Sequence, residues 1–182
     1  MERDGLVHHQ RIEIVGLLVS PVHRYGGRPD DGPVTGGEGD ERRDRVEVRG
    51  GLGIVGDRYF GSASHRRAAI TLIAAESIEQ VGGELDAELD PFAARRNVIV
   101  RGLDVDGLVG ATLALDSGHG EVTLAVRSPA RPCSWMERVL APGAHRALSD
   151  RGGVRCEPLD DGVLVLGPAV ARADVALATP PG

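Results

Sequence analysis

The sequence predicts a mainly β (α+β) fold: a closed or nearly closed β-barrel carrying a few short helices. Three observations lead there. Short apolar runs bounded by Gly, Pro and Asp recur along the chain, as strands and their turns do. They do not alternate with helical patterns in the manner of a doubly wound parallel sheet, and closing a sheet on itself removes its unpaired edges. With 182 residues, 41% of them hydrophobic and 26% charged, the chain suits one domain that buries roughly 70% of its unfolded surface.

The elements follow in order. RIEIVGLLVS (residues 11–20) is rich in Ile, Val and Leu and stops at Pro21, which predicts a strand. Residues 26–44 hold six acids among many Gly and Pro, too little apolar surface to bury, and are expected to form a mobile surface loop. RVEVR (45–49) alternates as a half-buried strand does, and the Gly-rich segment after it reads as a loop. AAITLI (68–73) predicts a strand, and Ala74, Ile78 and Val81 then recur at helical spacing until Gly82 and Gly83, where the helix is expected to stop. NVIVRG is a short apolar strand; GATLALD and EVTLAVRS predict a hairpin around Ser117–Gly120. Ser134 and Glu137 match a capping box for a short helix ended by Pro142 and Gly143. GVRCEPLDDGVLVLG predicts a second hairpin turning at Asp161 and Gly162. The domain is thus expected over 11–170, with flexible tails at 1–10 and 171–182.

Composition excludes several functions. The 27 acids against 21 bases give a net charge of −6, which argues against a nucleic-acid partner. No run approaches the ~18 apolar residues of a membrane span, and the opening residues lack a signal-peptide layout, so a cytoplasmic location without membrane contact is expected. Every basic residue is Arg, which removes Schiff-base chemistry and a phosphate-loop lysine. The 2 cysteines build no disulfide framework, and the 6 histidines show no zinc-binding spacing.

Four features bear on chemistry. Gly51, Gly53 and Gly56 spell G-x-G-x-x-G, yet the preceding strand alternates and DRYFG is a poor helix opening; a turn with positive φ angles is the better reading than a dinucleotide fingerprint. Cys133 lies next to the expected Ser134 cap with Arg131 close by, a setting that favours the thiolate; the competing reading is an inert core cysteine. Cys156, between Arg155 and Glu157, reads as core packing. Arg66 with Arg67, and Arg95 with Arg96 before Asn97, offer guanidinium forks suited to a phosphate, or are solvated strand ends paired with nearby acids.

Together, GIVGDRYFG (53–61), RRAAITLIAAESIE (66–79), FAARRNVIVRGLDVDGLVG (92–110), SPARPCSWME (128–137) and GVRCEPLDDGVLVLGPAV (153–170) resemble the MOSC domain of molybdenum cofactor sulfurases, of the mitochondrial amidoxime-reducing component, and of small free-standing bacterial proteins. The resemblance implies a β-barrel that binds the molybdenum cofactor (molybdopterin). Cys133 matches the family's chemical cysteine, as thiolate ligand to molybdenum or acceptor of sulfur. Arg96 and Asn97 match the residues lining the phosphate and pterin pocket, followed less closely by Arg95, Arg67 and Arg131. Asp57 and Arg58 match a segment that shapes the same pocket. The acidic loop at 26–44 has no counterpart in the family pattern, and the chain leaves no room for a pyridoxal-dependent sulfurase domain.

Three functions follow from that resemblance. One is a molybdenum-dependent oxidoreductase acting on small N-hydroxylated compounds, with electrons from a separate reductase because no CxxC pair, flavin fingerprint or haem motif is present. Another is a sulfur carrier loaded on Cys133 by a separate cysteine desulfurase. The third is a barrel whose arginines bind some unrelated small phosphate.

Overall fold

The computed structural model describes residues 5–35 and 40–181. Its centre is a closed barrel in the order β1 (His8–Leu17), β10 (Gly167–Ala173), β6 (Thr112–Asp116), β7 (Glu121–Pro129), β8 (Val154–Pro158), β4 (Ile70–Ala74) and β5 (Val98–Arg101), with β5 closing back on β1. The predicted mainly β barrel is therefore the observed architecture. β2 (Arg45–Arg49), β3 (Gly53–Ile54) and β9 (Gly162–Val165) form a second, three-stranded sheet.

All barrel pairs are antiparallel except β4 with β5. A parallel pair needs a crossover, which is α1 (Ala75–Leu85), so one strand–helix–strand unit does sit inside the barrel. This explains why β4 and β5 are apolar on both faces, Thr71 and Arg101 aside, whereas β2 alternates. Leu72, Val98 and Val100 fill the barrel, while Ile73 and Ile99 point outward into a second cluster with Ile78 and Val81 of α1 and Trp135 and Met136 of α2 (Trp135–Val139). In β2, only Val46 and Val48 are buried.

Several expectations need correction. His8, His9 and Gln10 pair with Ala173, Arg172 and Ala171, so β1 and β10 run past both expected domain boundaries; these two strands satisfy each other's backbone groups even where the side chains are exposed. α1 continues through Gly82 and Gly83 and ends at Asp86, which adopts left-handed φ 49°. Gly82 serves the reversal that follows, since a Cβ there would lie 2.6 Å from the carbonyl oxygen of Ala87. β8 and β9 do not form a hairpin. Both edges of β8 are taken by β4 and β7, so β9 leaves the barrel and pairs with β2 instead. The capping box at Ser134 does not form either. Ser134 makes no side-chain cap, and Glu137 instead accepts the backbone N–H groups of Gly143 (2.6 Å) and His145 (2.8 Å) at the start of α3 (Ala144–Ala147). Gly51, Gly53 and Gly56 have φ of 70°, 114° and 87°; Gly51 lies in the β2–β3 turn, Gly53 opens β3 and Gly56 sits in the turn after it, and the next helical segment is a short 3-10 turn at Ala63–Ala68 and not an α-helix opened by the motif.

Candidate functional site

At one mouth of the barrel, four segments converge on a polar cleft of about 220 Å³. The chain beyond β1 contributes Leu18 and Ser20, the loop after β3 contributes Asp57, Arg58, Tyr59 and His65, the approach to β5 contributes Arg95, Arg96 and Asn97, and β8 contributes Arg155. Four arginines thus surround a cavity in a protein whose net charge is −6.

Asn97 and Asp57 brace this cleft. Asn97 Oδ1 accepts from the Thr71 backbone N–H (3.0 Å) and hydroxyl (2.9 Å), while its Nδ2 donates to the Leu18 carbonyl and to Asp57 Oδ2, each at 3.1 Å. Every hydrogen-bonding position of the amide is engaged. Asp57 also accepts from the backbone N–H groups of Ser20 and Tyr59, both at 3.1 Å. These two buried side chains lock the end of β1, β4 and the loop after β3 together.

The arginines have different partners. Arg96 gives its Nε to the Gly152 carbonyl (2.9 Å), one Nη to Ala94 (3.1 Å) and the other to Ala130 (2.7 Å). Burial, and behind it the neighbouring Arg155, brings its pKa down to about 10, so it stays charged at neutral pH. Arg95 adopts left-handed φ 58° and reaches Glu41 and the Ser20 hydroxyl. Strand alternation would have sent only one of this pair inward; both face the cleft because they precede β5 and Arg95 breaks the extended run. Arg58 lies 4.4 Å over the Tyr59 ring, which in turn stacks on His65 at 4.3 Å. The Nε of Arg58 is buried and has no hydrogen-bond partner among the described residues. Arg155 is exposed on β8 and has no carboxylate partner among the described residues.

The remaining candidates are not among the residues lining this cleft. Cys133 is exposed in the loop between β7 and α2, where its carbonyl accepts the Met136 N–H at 2.9 Å. It is within electrostatic reach of Arg96 and of Tyr25, but it is not among the residues lining the cleft. Arg131 lines a different cavity of about 680 Å³ with Pro129, Glu137 and His145. Arg67 is exposed and lines none of the clefts described. Arg66 is tied to Glu157 at 2.9 Å, which Arg127 also holds at 2.6 Å. Cys156 is buried among barrel side chains, and burial pushes its thiol up to about 12. Among the described residues no cluster of three His, Cys, Asp or Glu could hold a metal ion.

Sequence reasoning missed Arg155, His65, Tyr25 and Glu41. Arg155 reads as an outward strand residue, and Glu41 lies in the Gly- and acid-rich segment. Tyr25 stacks on Trp135 at 5.0 Å and its hydroxyl donates to the Ala93 carbonyl. Burial is the main cause of its pKa rising to about 12, against the pull of Arg95.

The chain is thus a closed barrel with a braced mouth lined by four arginines. The family model of the MOSC domain matches residues 33–170, and the chain belongs to that family. Among solved structures, YuaD from Bacillus subtilis is similar over 91% of this chain and 97% of its own, with a TM-score of 0.70 at 18% identity. YiiM from Geobacillus stearothermophilus is similar over 93% and 75%, with a TM-score of 0.57 at 18% identity. YiiM from Escherichia coli matches over 93% and 73%, with a TM-score of 0.55 at 16% identity. At these identities the likeness is one of fold. No curated protein matches the sequence. No helix among the described residues is long and apolar enough to cross a membrane.

Proposed function

We propose that the barrel mouth binds the molybdenum cofactor by its phosphate end, and that the protein is a cytoplasmic molybdenum-dependent oxidoreductase reducing small N-hydroxylated compounds. The observation that carries this reading is the buried, unpartnered Nε of Arg58 in a cleft shared with three other arginines. A buried donor without a partner costs about 1–3 kcal/mol, and an anion in the cleft would remove that cost. The residues present fit such a group. At about 220 Å³ the cleft is below the roughly 300–1,000 Å³ of ordinary ligand sites, so it takes one charged end of a ligand. A neighbouring hollow of about 320 Å³ shares Leu18 and Arg95 and is lined mainly by charged side chains, Arg24, Asp40, Glu41, Arg42 and Asp90, so polar groups of the ligand beyond its phosphate would meet hydrogen-bonding partners there.

When bound, the cofactor would supply two-electron oxygen-atom chemistry at its metal. Arg58 and Arg155 would hold the phosphate by charge-assisted hydrogen bonds, with Arg95 at the junction of the two hollows. Asp57 and Asn97 hold the walls in place, and Arg96 anchors the Ala130 carbonyl three residues before Cys133. Cys133, as thiolate, would be the protein's soft ligand to the metal. Electrons would come from a separate reductase.

The test is molybdenum per chain in wild type and Cys133→Ala purified side by side from a host that makes the cofactor. Near-stoichiometric metal in wild type, lost in the variant, is expected; no metal in either sinks the oxidoreductase reading. One observation favours a second reading, sulfur carriage: the Cys133 side chain is exposed and outside the cleft lining. There the thiolate would attack the outer sulfur of a cysteine desulfurase's persulfide, forming a persulfide on Cys133 and releasing the donor's thiolate. Intact mass showing one added sulfur on wild type and none on Cys133→Ala would select it.

A further inference from the structure

The acidic segment places one carboxylate against the site. Glu41 Oε1 accepts the Ser20 hydroxyl at 2.8 Å and Arg24 Nε at 3.2 Å, and Oε2 accepts a guanidinium N–H of Arg95. Burial pushes this carboxyl up, but the hydrogen bonds from Arg95, Ser20 and Arg24 outweigh it and bring it to about 2, so it is charged at every physiological pH. Its backbone is fixed independently of its side chain. The Val19 N–H donates to the Glu41 carbonyl and the Arg43 N–H to the Leu17 carbonyl, both at 2.9 Å, and Leu18 forms a bridge with Arg42.

We propose that Glu41 is a built-in competitor of the incoming anion: its carboxylate occupies Arg95 until an oxyanion takes that place, and then turns to Arg24 alone. This rests on the reading of the cleft as an anion site. Three features support it. Arg95 lines both the cleft and the neighbouring hollow, and Glu41 and Arg24 line that hollow with it, so the side chain has room to turn without its backbone moving. Arg24 gives the displaced carboxylate a second cation already within 3.2 Å. A tethered carboxylate on Arg95 also offsets part of the positive charge that draws anions, so only a ligand engaging Arg58 and Arg155 as well outcompetes it. Glu41 therefore sets how strongly anionic a ligand must be to enter.

The experiment is calorimetric titration of the full-length protein with inorganic phosphate, using wild type, Glu41→Gln, Arg24→Gln and Asp40→Asn, each checked for folding by thermal melting. Asp40 is exposed beside Glu41, borders the neighbouring hollow without lining the cleft, and its carboxylate accepts from the Arg42 backbone N–H and not from Arg95, so its variant reports the removal of one nearby negative charge that does not hold Arg95. Glu41→Gln is expected to bind phosphate about tenfold more tightly, the scale of one charge removed a few ångströms from the ligand in a partly screened cleft, with Asp40→Asn near wild type. Arg24→Gln, which leaves Arg95 as the remaining cation for Glu41, is expected to bind severalfold more weakly. Should Glu41→Gln not fold, the Arg24→Gln result decides alone. Equal affinities for wild type and Glu41→Gln, or equal tightening by Glu41→Gln and Asp40→Asn, overturn the competitor while leaving the anion cleft standing. No phosphate binding at millimolar concentration by either wild type or Glu41→Gln overturns both.

Discussion

The two walls of the cleft carry the same residue type in opposite states. On the wall leading into β5, Arg95, Arg96 and Asn97 are engaged by Glu41, by three backbone carbonyls and by Thr71, Leu18 and Asp57. On the other wall, among the described residues, Arg58 keeps a buried Nε without a partner and Arg155 has no carboxylate. The difference teaches that an arginine's work is set by what already surrounds it. The R-R-N block builds and stiffens the mouth, while donors left open for a ligand come from the loop after β3 and from β8, which is separated from β5 by β4 alone.

That contrast can be broken in order of size. Arg96→Met should be the most damaging, because it leaves the carbonyls of Ala94, Ala130 and Gly152 without their donor; a loss of about 3 kcal/mol is expected in urea unfolding. A change below about 1 kcal/mol would mean the wall is not braced as described. Arg58→Gln should do the reverse, leaving the melting temperature unchanged or slightly raised while phosphate affinity falls about tenfold, since a charge-assisted contact is lost and a buried unpaired donor is removed. If Arg58→Gln lowers the melting temperature markedly and leaves phosphate affinity intact, the two walls have been assigned the wrong way round.

Acid sharpens the same comparison. Folding lowers the Glu41 carboxyl from its ordinary 4.5 to about 2, so its contribution is whole above about pH 4.5 and is lost progressively as pH falls through about 2. Wild type should therefore lose more stability than Glu41→Gln between those values, followed by fluorescence of Trp135; parallel curves would remove Glu41 from the network. The smallest effect belongs to Ser134→Ala, expected within about 0.5 kcal/mol of wild type in the same unfolding assay because the hydroxyl caps nothing. A loss nearer 1 kcal/mol would restore the capping box.

Much of the barrel was legible in the sequence, for physical reasons that differ by element. RVEVR matched β2 residue for residue because one face is buried and one solvated, and the β6–β7 hairpin was visible because its turn is short. The β8–β9 hairpin misled because alternation reveals that a segment is extended and says nothing of which neighbour it pairs with. The Glu137 side chain satisfies a capping motif on paper, yet the N–H groups of the next helix were closer to hand. Asp57, Arg58, Arg95, Arg96 and Asn97, singled out in the sequence, line one cleft, but their hydrogen-bond partners could not be read there, since a motif records proximity and not hydrogen-bond saturation. Arg155 and Glu41 gave no signal, one standing on a strand that reads as solvent-facing and the other inside a segment that reads as featureless.

The pairing of β1 with β10 also governs how the barrel comes into being. His8 meets Ala173, so the seam joins segments from opposite ends of the described chain, and the ring of strands cannot shut until almost the whole domain has been made. Loop-closure entropy on that scale is repaid late, which places folding in the slow, millisecond-to-second regime of non-local β topologies. While a ribosome is still extending the chain, β1 can find β5 but not its other neighbour, and one of its edges stays open. Proteins that guard nascent chains would meet that edge before the cleft at the mouth has any fixed shape.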